Sequence, residues 1–241
     1  QHYSDNTGQV AFILLGYWTG ASYTDALEPF TANSQGVWVE EGVGAYGVAP
    51  NQVAEILIQN IDVGNERLGG VRASGATHQR RFMLHEAESG GVDALSMMVT
   101  ADASSIIEVY AQDTSDIEFY VLGTWDTPPG TYTGTGGAHG QVSAPMTWET
   151  IDLSGFGVPQ DSIAQFVLAN ENQGTENSMR VREVGSTINN RALLLHEAEA
   201  GGSDLGSLHA NVDASQQVQW AAAQGPAGGF FYPVGWWVLS P

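Results

Sequence analysis

Apolar residues along this chain come in short runs and in alternation with polar ones, not in helical stripes. Val53-Ala54-Glu55-Ile56-Leu57-Ile58-Gln59 and Ile163-Ala164-Gln165-Phe166-Val167-Leu168 are compact runs rich in branched side chains, each soon closed by Asn. Runs of this length suit buried strands and are too short for typical helices. Ile106 to Tyr110 and Val218 to Ala221 alternate in part, as half-exposed strands do. Asp102-Ala103-Ser104-Ser105 and Asp213-Ala214-Ser215-Gln216 precede them and suit turns. The one helical candidate, Leu193 to Ala200, has no clear apolar stripe and is stopped by Gly201-Gly202. It is read as strand, and the pattern as a whole predicts an all-β fold.

The pattern also repeats. Leu84-His85-Glu86-Ala87-Glu88-Ser89-Gly90-Gly91-Val92-Asp93 returns as Leu195-His196-Glu197-Ala198-Glu199-Ala200-Gly201-Gly202-Ser203-Asp204, identical at eight of ten positions at an offset of 111. Further matches flank it: Val71-Arg72 with Val181-Arg182, Asn60 with Asn170, and Asp102-Ala103-Ser104 with Asp213-Ala214-Ser215. The offset drifts by only one or two residues, as in duplicated modules with small loop insertions. Phe12-Ile13-Leu14-Leu15-Gly16-Tyr17-Trp18 resembles the ends of both copies, Phe119 to Trp125 and Phe231 to Trp237.

The expected organisation is therefore an orphan strand at 1–19, module A at 20–125 and module B at 126–241. Each module has room for about eight short strands, which predicts two tandem antiparallel β-sandwiches, jelly-roll-like, plus the extra N-terminal strand. Gly16, Gly123 and Gly235 stand inside the last strand, where a glycine signals a bulge or a close backbone contact. Phe12, Ile13 and Leu14 are expected to serve assembly, by completing a preceding module or by donation to a neighbouring subunit, because an unpaired apolar strand invites aggregation. The chain starts at Gln1, without an initiator Met, and is read as a processed product or a piece of something longer.

Charge narrows the function. The chain has 27 acidic residues against 7 basic ones, all Arg, for a net charge of −20. Seven scattered Arg cannot build the basic patch that phosphate binding needs, so nucleic acid is excluded as a partner. Anionic lipid is disfavoured for the same reason. The longest apolar run, Val10 to Leu15, is far shorter than the ~18 residues of a membrane span. The absence of Cys excludes disulfides, thiolate metal sites and a Cys nucleophile.

The repeated His-Glu-Ala-Glu is the main candidate for chemistry. In an extended strand His85 and Ala87 point one way, and Glu86 and Glu88 the other. With Asp93 nearby, Glu86 and Glu88 form an oxygen-rich set suited to Ca²⁺, as do Glu197, Glu199 and Asp204. The alternative is a solvated face whose Glu pair meets Arg72 or Arg81 across the sheet. Paired carboxylates also serve glycoside hydrolysis, but a site duplicated in adjacent modules is unusual for an enzyme. No catalytic triad order, phosphate loop or dinucleotide fingerprint is present, so no catalytic residue is assigned and no cofactor beyond that Ca²⁺ is expected. Among the aromatics, Trp18, Trp125, Trp148 and Trp237 are expected to close the ends of the sandwiches. Trp236, beside Trp237, is the candidate exposed ring for stacking on a sugar.

The strand endings Gly16-Tyr17-Trp18, Gly123-Thr124-Trp125 and Gly235-Trp236-Trp237, in a Gly-rich chain without Lys or Cys, resemble in style the tandem β-sandwich modules of phage tail, fibre and head-decoration proteins and of bacterial surface filaments. The resemblance implies a non-enzymatic structural component of a virion or extracellular filament. It also implies a location at a virion surface or outside the cell, with copies of itself or other structural subunits as partners. The alternative is a carbohydrate-binding or adhesion module with glycan partners.

Overall fold

The computed structural model describes residues 22–87, 92–127, 130–135, 140–187, 192–198, 203–224 and 228–239. The expected N-terminal strand with Phe12, Ile13 and Leu14 lies outside the described residues, as do Trp18, Glu88 and Glu199. The first half contains β1 (Ser22–Phe30), β2 (Trp38–Gly42), β3 (Val53–Asn60), β4 (Arg67–Ala73), β5 (Arg81–Leu84), β6 (Asp93–Thr100), β7 (Ile106–Ala111) and β8 (Ile117–Thr127). The second contains β9 (Gly130–Gly134), β10 (Glu149–Asp152), β11 (Ser162–Asn170), β12 (Asn177–Glu183), β13 (Ala192–Leu195), β14 (Asp204–Asn211), β15 (Gln217–Ala222) and β16 (Gly229–Leu239). Two 3-10 turns, Val43–Tyr46 and Ser154–Phe156, are the only helical segments among the described residues.

The strands form four antiparallel sheets of four strands. In the first module β1-β8-β3-β6 faces β2-β7-β4-β5. In the second, β9-β16-β11-β14 faces β10-β15-β12-β13, with every strand in the corresponding place. Two four-stranded sheets that share the chain in this order are a jelly roll. The fold is thus all-β and built from jelly-roll sandwiches, as the strand pattern indicates.

Repeated residues set repeated geometry. Asp102 Oδ1 accepts N–H bonds from Ser104 and Ile106, and Asp213 Oδ1 accepts from Ser215 and Gln217. Each turn then passes through a left-handed residue, Ser105 or Gln216, both at φ 59°. Gly16 lies outside the described residues, and Gly123 and Gly235 do both things expected of the strand glycines. The register slips opposite Gly123 and again opposite Gly235. A methyl group at Gly123 would come 2.4 Å from the Tyr23 ring, and one at Gly235 would come 2.1 Å from Tyr132 Oη.

The two modules differ in one respect. On β3, Ala54, Ile56 and Ile58 are buried inward while Glu55, Leu57 and Gln59 are only half-buried. On β11 both faces are buried. Ala164, Phe166 and Leu168 fill the second module, whereas Val167 and Ala169 join the core of the first. Val234 and Leu205 join it too. The outer face of the β9-β16-β11-β14 sheet is therefore covered by the β5–β6 edge of the first module.

Candidate functional site

The His-Glu-Ala-Glu segment leaves the sheet at its first residue. β5 stops at Leu84, and His85 to Ala87 form a loop, so the alternating strand faces expected there do not exist. The cause is a set of hydrogen bonds around Asn60, a fully buried side chain at the end of β3. Its Nδ2 donates to Asn65 O at 2.9 Å and to His85 O at 2.6 Å, and its Oδ1 accepts from Asp62 N–H. Asp93 Oδ2 accepts from His85 N–H at 2.7 Å, and Ala87 N–H donates to Asp62 O.

The second copy is bonded in the same way. Asn170 donates to Thr175 O and His196 O and accepts from Asn172 N–H. Asp204 accepts from His196 N–H, and Ala198 N–H donates to Asn172 O. Buried backbone groups need such partners, because an unpaired one costs about 1–3 kcal/mol. Carrying the strand out of one sheet and into the other calls for Asn and Asp at fixed positions, which accounts for the return of Asn60 as Asn170 and of Asp93 as Asp204.

Four of the six candidate cation ligands lie among the described residues. Asp93 and Asp204 each give an oxygen to a backbone N–H, and Glu86 and Glu197 are half-buried on their loops. Among the described residues no three His, Asp or Glu side chains converge as metal ligands. Among the described residues, Glu86 does not make the expected pairing with Arg72 or Arg81. Arg72 pairs with Glu108 and lies 4.2 Å over Trp38, and Arg81 lies 4.8 Å over Tyr110. Both arginines thus have partners on β2 and β7 of their own sheet.

The two loops meet where the modules meet. The rings of His85 and His196 stand 6.3 Å apart, edge to face. His85 Nδ1 lies 3.0 Å from Glu86 O, an acceptor, while its buried Nε2 has no partner among the described residues. Burial, and then the charge of Asp204, push the Asp93 carboxyl up to about 6. Burial likewise raises Asp204. An acid raised in the fold favours its protonated form there, so its contribution to stability is fully present below about 3.8 and is lost as pH rises from there through about 6. At roughly 1.4 kcal/mol per pH unit, the gap above the ordinary carboxylate range corresponds to about 1–3 kcal/mol. Asp93→Asn keeps the oxygen that accepts from His85 and removes the charge. It is expected to nearly match the parent in urea midpoint at about pH 3 and exceed it at pH 7.5. Equal midpoints at both values would refute the burial of this acid.

The tryptophans have a different arrangement from the one expected. Trp125 and Trp237 do not cap separate sandwiches but pack on each other at 5.8 Å. With Tyr132, Met98 and Val53 they form a cluster contributed by both modules. Trp237, on the outward face of β16, is fully buried by this contact. Trp236 is half-buried against the second core. Trp148 is stacked under Arg182 at 3.8 Å, and Trp220 lies 4.5 Å from Phe231.

Arg80 completes the junction and was not singled out by the sequence pattern. Only 1% exposed, it donates from Nη1 to Met98 O and from Nη2 to Tyr132 Oη, which in turn donates to Gln165 Oε1. Phe82 meets Tyr232 edge-on at 5.3 Å, and Ser203 Oγ donates to Met83 O. A cleft of about 170 Å³ runs along this junction, between Arg81, Phe82, Glu171 and Tyr232. It is smaller than the ~300–1,000 Å³ of small-molecule sites.

No family model matches the chain, and no curated protein does. Among solved structures it is similar to the tandem CBM22 domains of Paenibacillus barcinonensis Xyn10C, at 10% identity and a TM-score of 0.23, covering 91% of each chain. It is also similar to the STIV MCP, at 11% identity and a TM-score of 0.33, covering 87% of this chain and 96% of that one. A third is the Macrobrachium rosenbergii nodavirus structure, at 7% identity and a TM-score of 0.28, covering 99% and 97%. Strand order, and not these likenesses, carries the fold assignment.

Proposed function

We propose that this chain is a non-enzymatic structural subunit of a virion or an extracellular filament, a rigid tile of two jelly rolls. The jelly roll serves both viral shells and sugar-binding domains, and the fold alone does not choose between them. The observation that carries the reading is the use made of the aromatic rings. Trp125, Trp237, Tyr132, Phe82 and Tyr232 are committed to joining one module to the other. Trp38 and Trp148 are covered by arginines. Sugar binding needs a ring with an open face, and among the described tryptophans the half-buried Trp236 is the candidate for that alternative.

The acidic surface suits an exposed component kept apart from non-specific partners by charge. Electron microscopy of the purified chain at high concentration is expected to show ordered sheets, filaments or shells. Glycan-array binding by a chain that never assembles, with the binding lost in Trp236→Ala, would favour the carbohydrate-binding reading instead.

A further inference from the structure

The cleft between the modules brings together side chains of opposite character. Gln79, Arg81 and Phe82 line it from the first module, and Glu171, Ser203 and Tyr232 from the second. Arg81 is exposed, and its guanidinium lies 4.8 Å over the Tyr110 ring. Held over a ring in this way, a guanidinium keeps N–H groups free for a bidentate acceptor. No described carboxylate takes them, although the chain has 27 acidic residues to 7 arginines. Arg67 and Arg72 are by contrast paired, the first with Asp62 and Asp116 and the second with Glu108.

Gln79 adds a second donor. Its Oε1 accepts from Trp38 Nε1 at 2.9 Å. An indole N–H can only donate, so the amide oxygen faces Trp38 and the amide nitrogen is left to donate elsewhere. The opposite wall accepts. Ser203 Oγ gives its proton to Met83 O, which leaves the lone pairs of its oxygen. Glu171 is an exposed carboxylate, and its Oε1 accepts from Tyr232 Oη at 3.4 Å. Burial, and then the charge of Glu171, raise the Tyr232 phenol, which therefore remains a donor. A carboxylate has about four acceptor positions, so Glu171 can take an ammonium beside the phenol. Arg81 and Glu171 do not pair with each other. Between them the lining is apolar, from Phe82, Ala169 and Val234.

We propose that this cleft is a site for a small zwitterion of the amino-acid type, its carboxylate held by Arg81 and Gln79 of the first module and its ammonium by Glu171 and Ser203 of the second. The size agrees. The cleft holds about 170 Å³, and a cavity of ~150 Å³ takes a benzene molecule. A ligand between glycine and aminobutyrate in size therefore fits, and a drug-sized one does not. Each end of the ligand is held by a different module. The ligand thus binds only the closed junction and stabilises it by mass action. The site does not depend on the structural-subunit reading.

Isothermal titration calorimetry and thermal melts of the full chain test this, with glycine, β-alanine and γ-aminobutyrate as probes at neutral pH and matched ionic strength. At least one of the three is expected to bind saturably and to raise Tm, and the best chain length marks the distance between the two walls. Acetate and methylammonium, each carrying half of the zwitterion, are expected to bind about tenfold more weakly or worse. Arg81→Ala and Glu171→Gln are each expected to weaken the zwitterion by about tenfold, since each removes a charge-assisted bond. Both residues are exposed, and melts without ligand check that the variants fold as the parent does. Trp237→Ala, which loosens the junction at a residue that does not line the cleft, is expected to weaken binding as well. No heat and no Tm shift with any of the three probes would overturn the site. So would binding at parental strength in both Arg81→Ala and Glu171→Gln. Acetate binding as tightly as the best zwitterion would leave only an anion seat on Arg81 and overturn the proposal too.

Discussion

Trp237→Ala is expected to destabilise the chain by about 3–5 kcal/mol, the range for deleting a large aromatic from a packed interior. Trp237 is fully buried, yet it lies on the outward face of its own sandwich, against Trp125, Tyr132 and Met98. The loss therefore falls on the junction and not on either core. Thermal unfolding of the variant should separate into two steps, each module melting with its own core intact. Trp125→Ala, in the same cluster but 8% exposed, should act in the same direction with a smaller loss. A Trp237→Ala chain that still unfolds within about 1 kcal/mol of the parent would mean that the aromatic junction does not hold the modules together.

Asn60→Ala is expected to cost about 2–4 kcal/mol. Two buried carbonyls, of Asn65 and His85, and the N–H of Asp62 would lose their partner together. Asn60→Asp tests the same account more sharply. It keeps an acceptor for Asp62 N–H but turns a carboxylate oxygen toward two carbonyls in a buried site, so it should be worse than Ala. Asn170, bonded in the same way to Thr175 and His196, should give the same order of effects. Urea denaturation midpoints of the four variants measure this. A neutral Asn60→Ala would show that the loop is not held by that side chain.

The fold was legible because it depends on local signals repeated twice. Short branched runs, Asp-led turns and strand glycines are each readable alone, and the near-constant offset ties the two copies together. The bulges at Gly123 and Gly235 follow from the same reasoning, since glycine has no side chain to meet Tyr23 or Tyr132. The His-Glu-Ala-Glu loop was harder to read. Its residue types suit a cation site in an extended strand, but the chain turns at His85 because of Asn60, twenty-five positions earlier. Nothing in a local window reveals that contact.

The junction was hidden for a related reason. Both β3 and β11 look like buried strands in sequence, and only contact with another module makes the outer face of β11 buried and leaves that of β3 half-open. The signal was present in the alignment of the two copies. Glu55 against Gln165 and Glu118 against Phe230 are polar-for-less-polar exchanges on one face, and they mark which copy carries a neighbour.

The central claim is that the two jelly rolls behave as one body, joined by the first module's β5–β6 edge on the second module's sheet. Differential scanning calorimetry of the full chain tests it most directly. One transition is expected, with a calorimetric enthalpy equal to the van't Hoff enthalpy, as when both jelly rolls unfold together. Two resolved transitions in the parent chain, unaltered by Trp237→Ala, would contradict it.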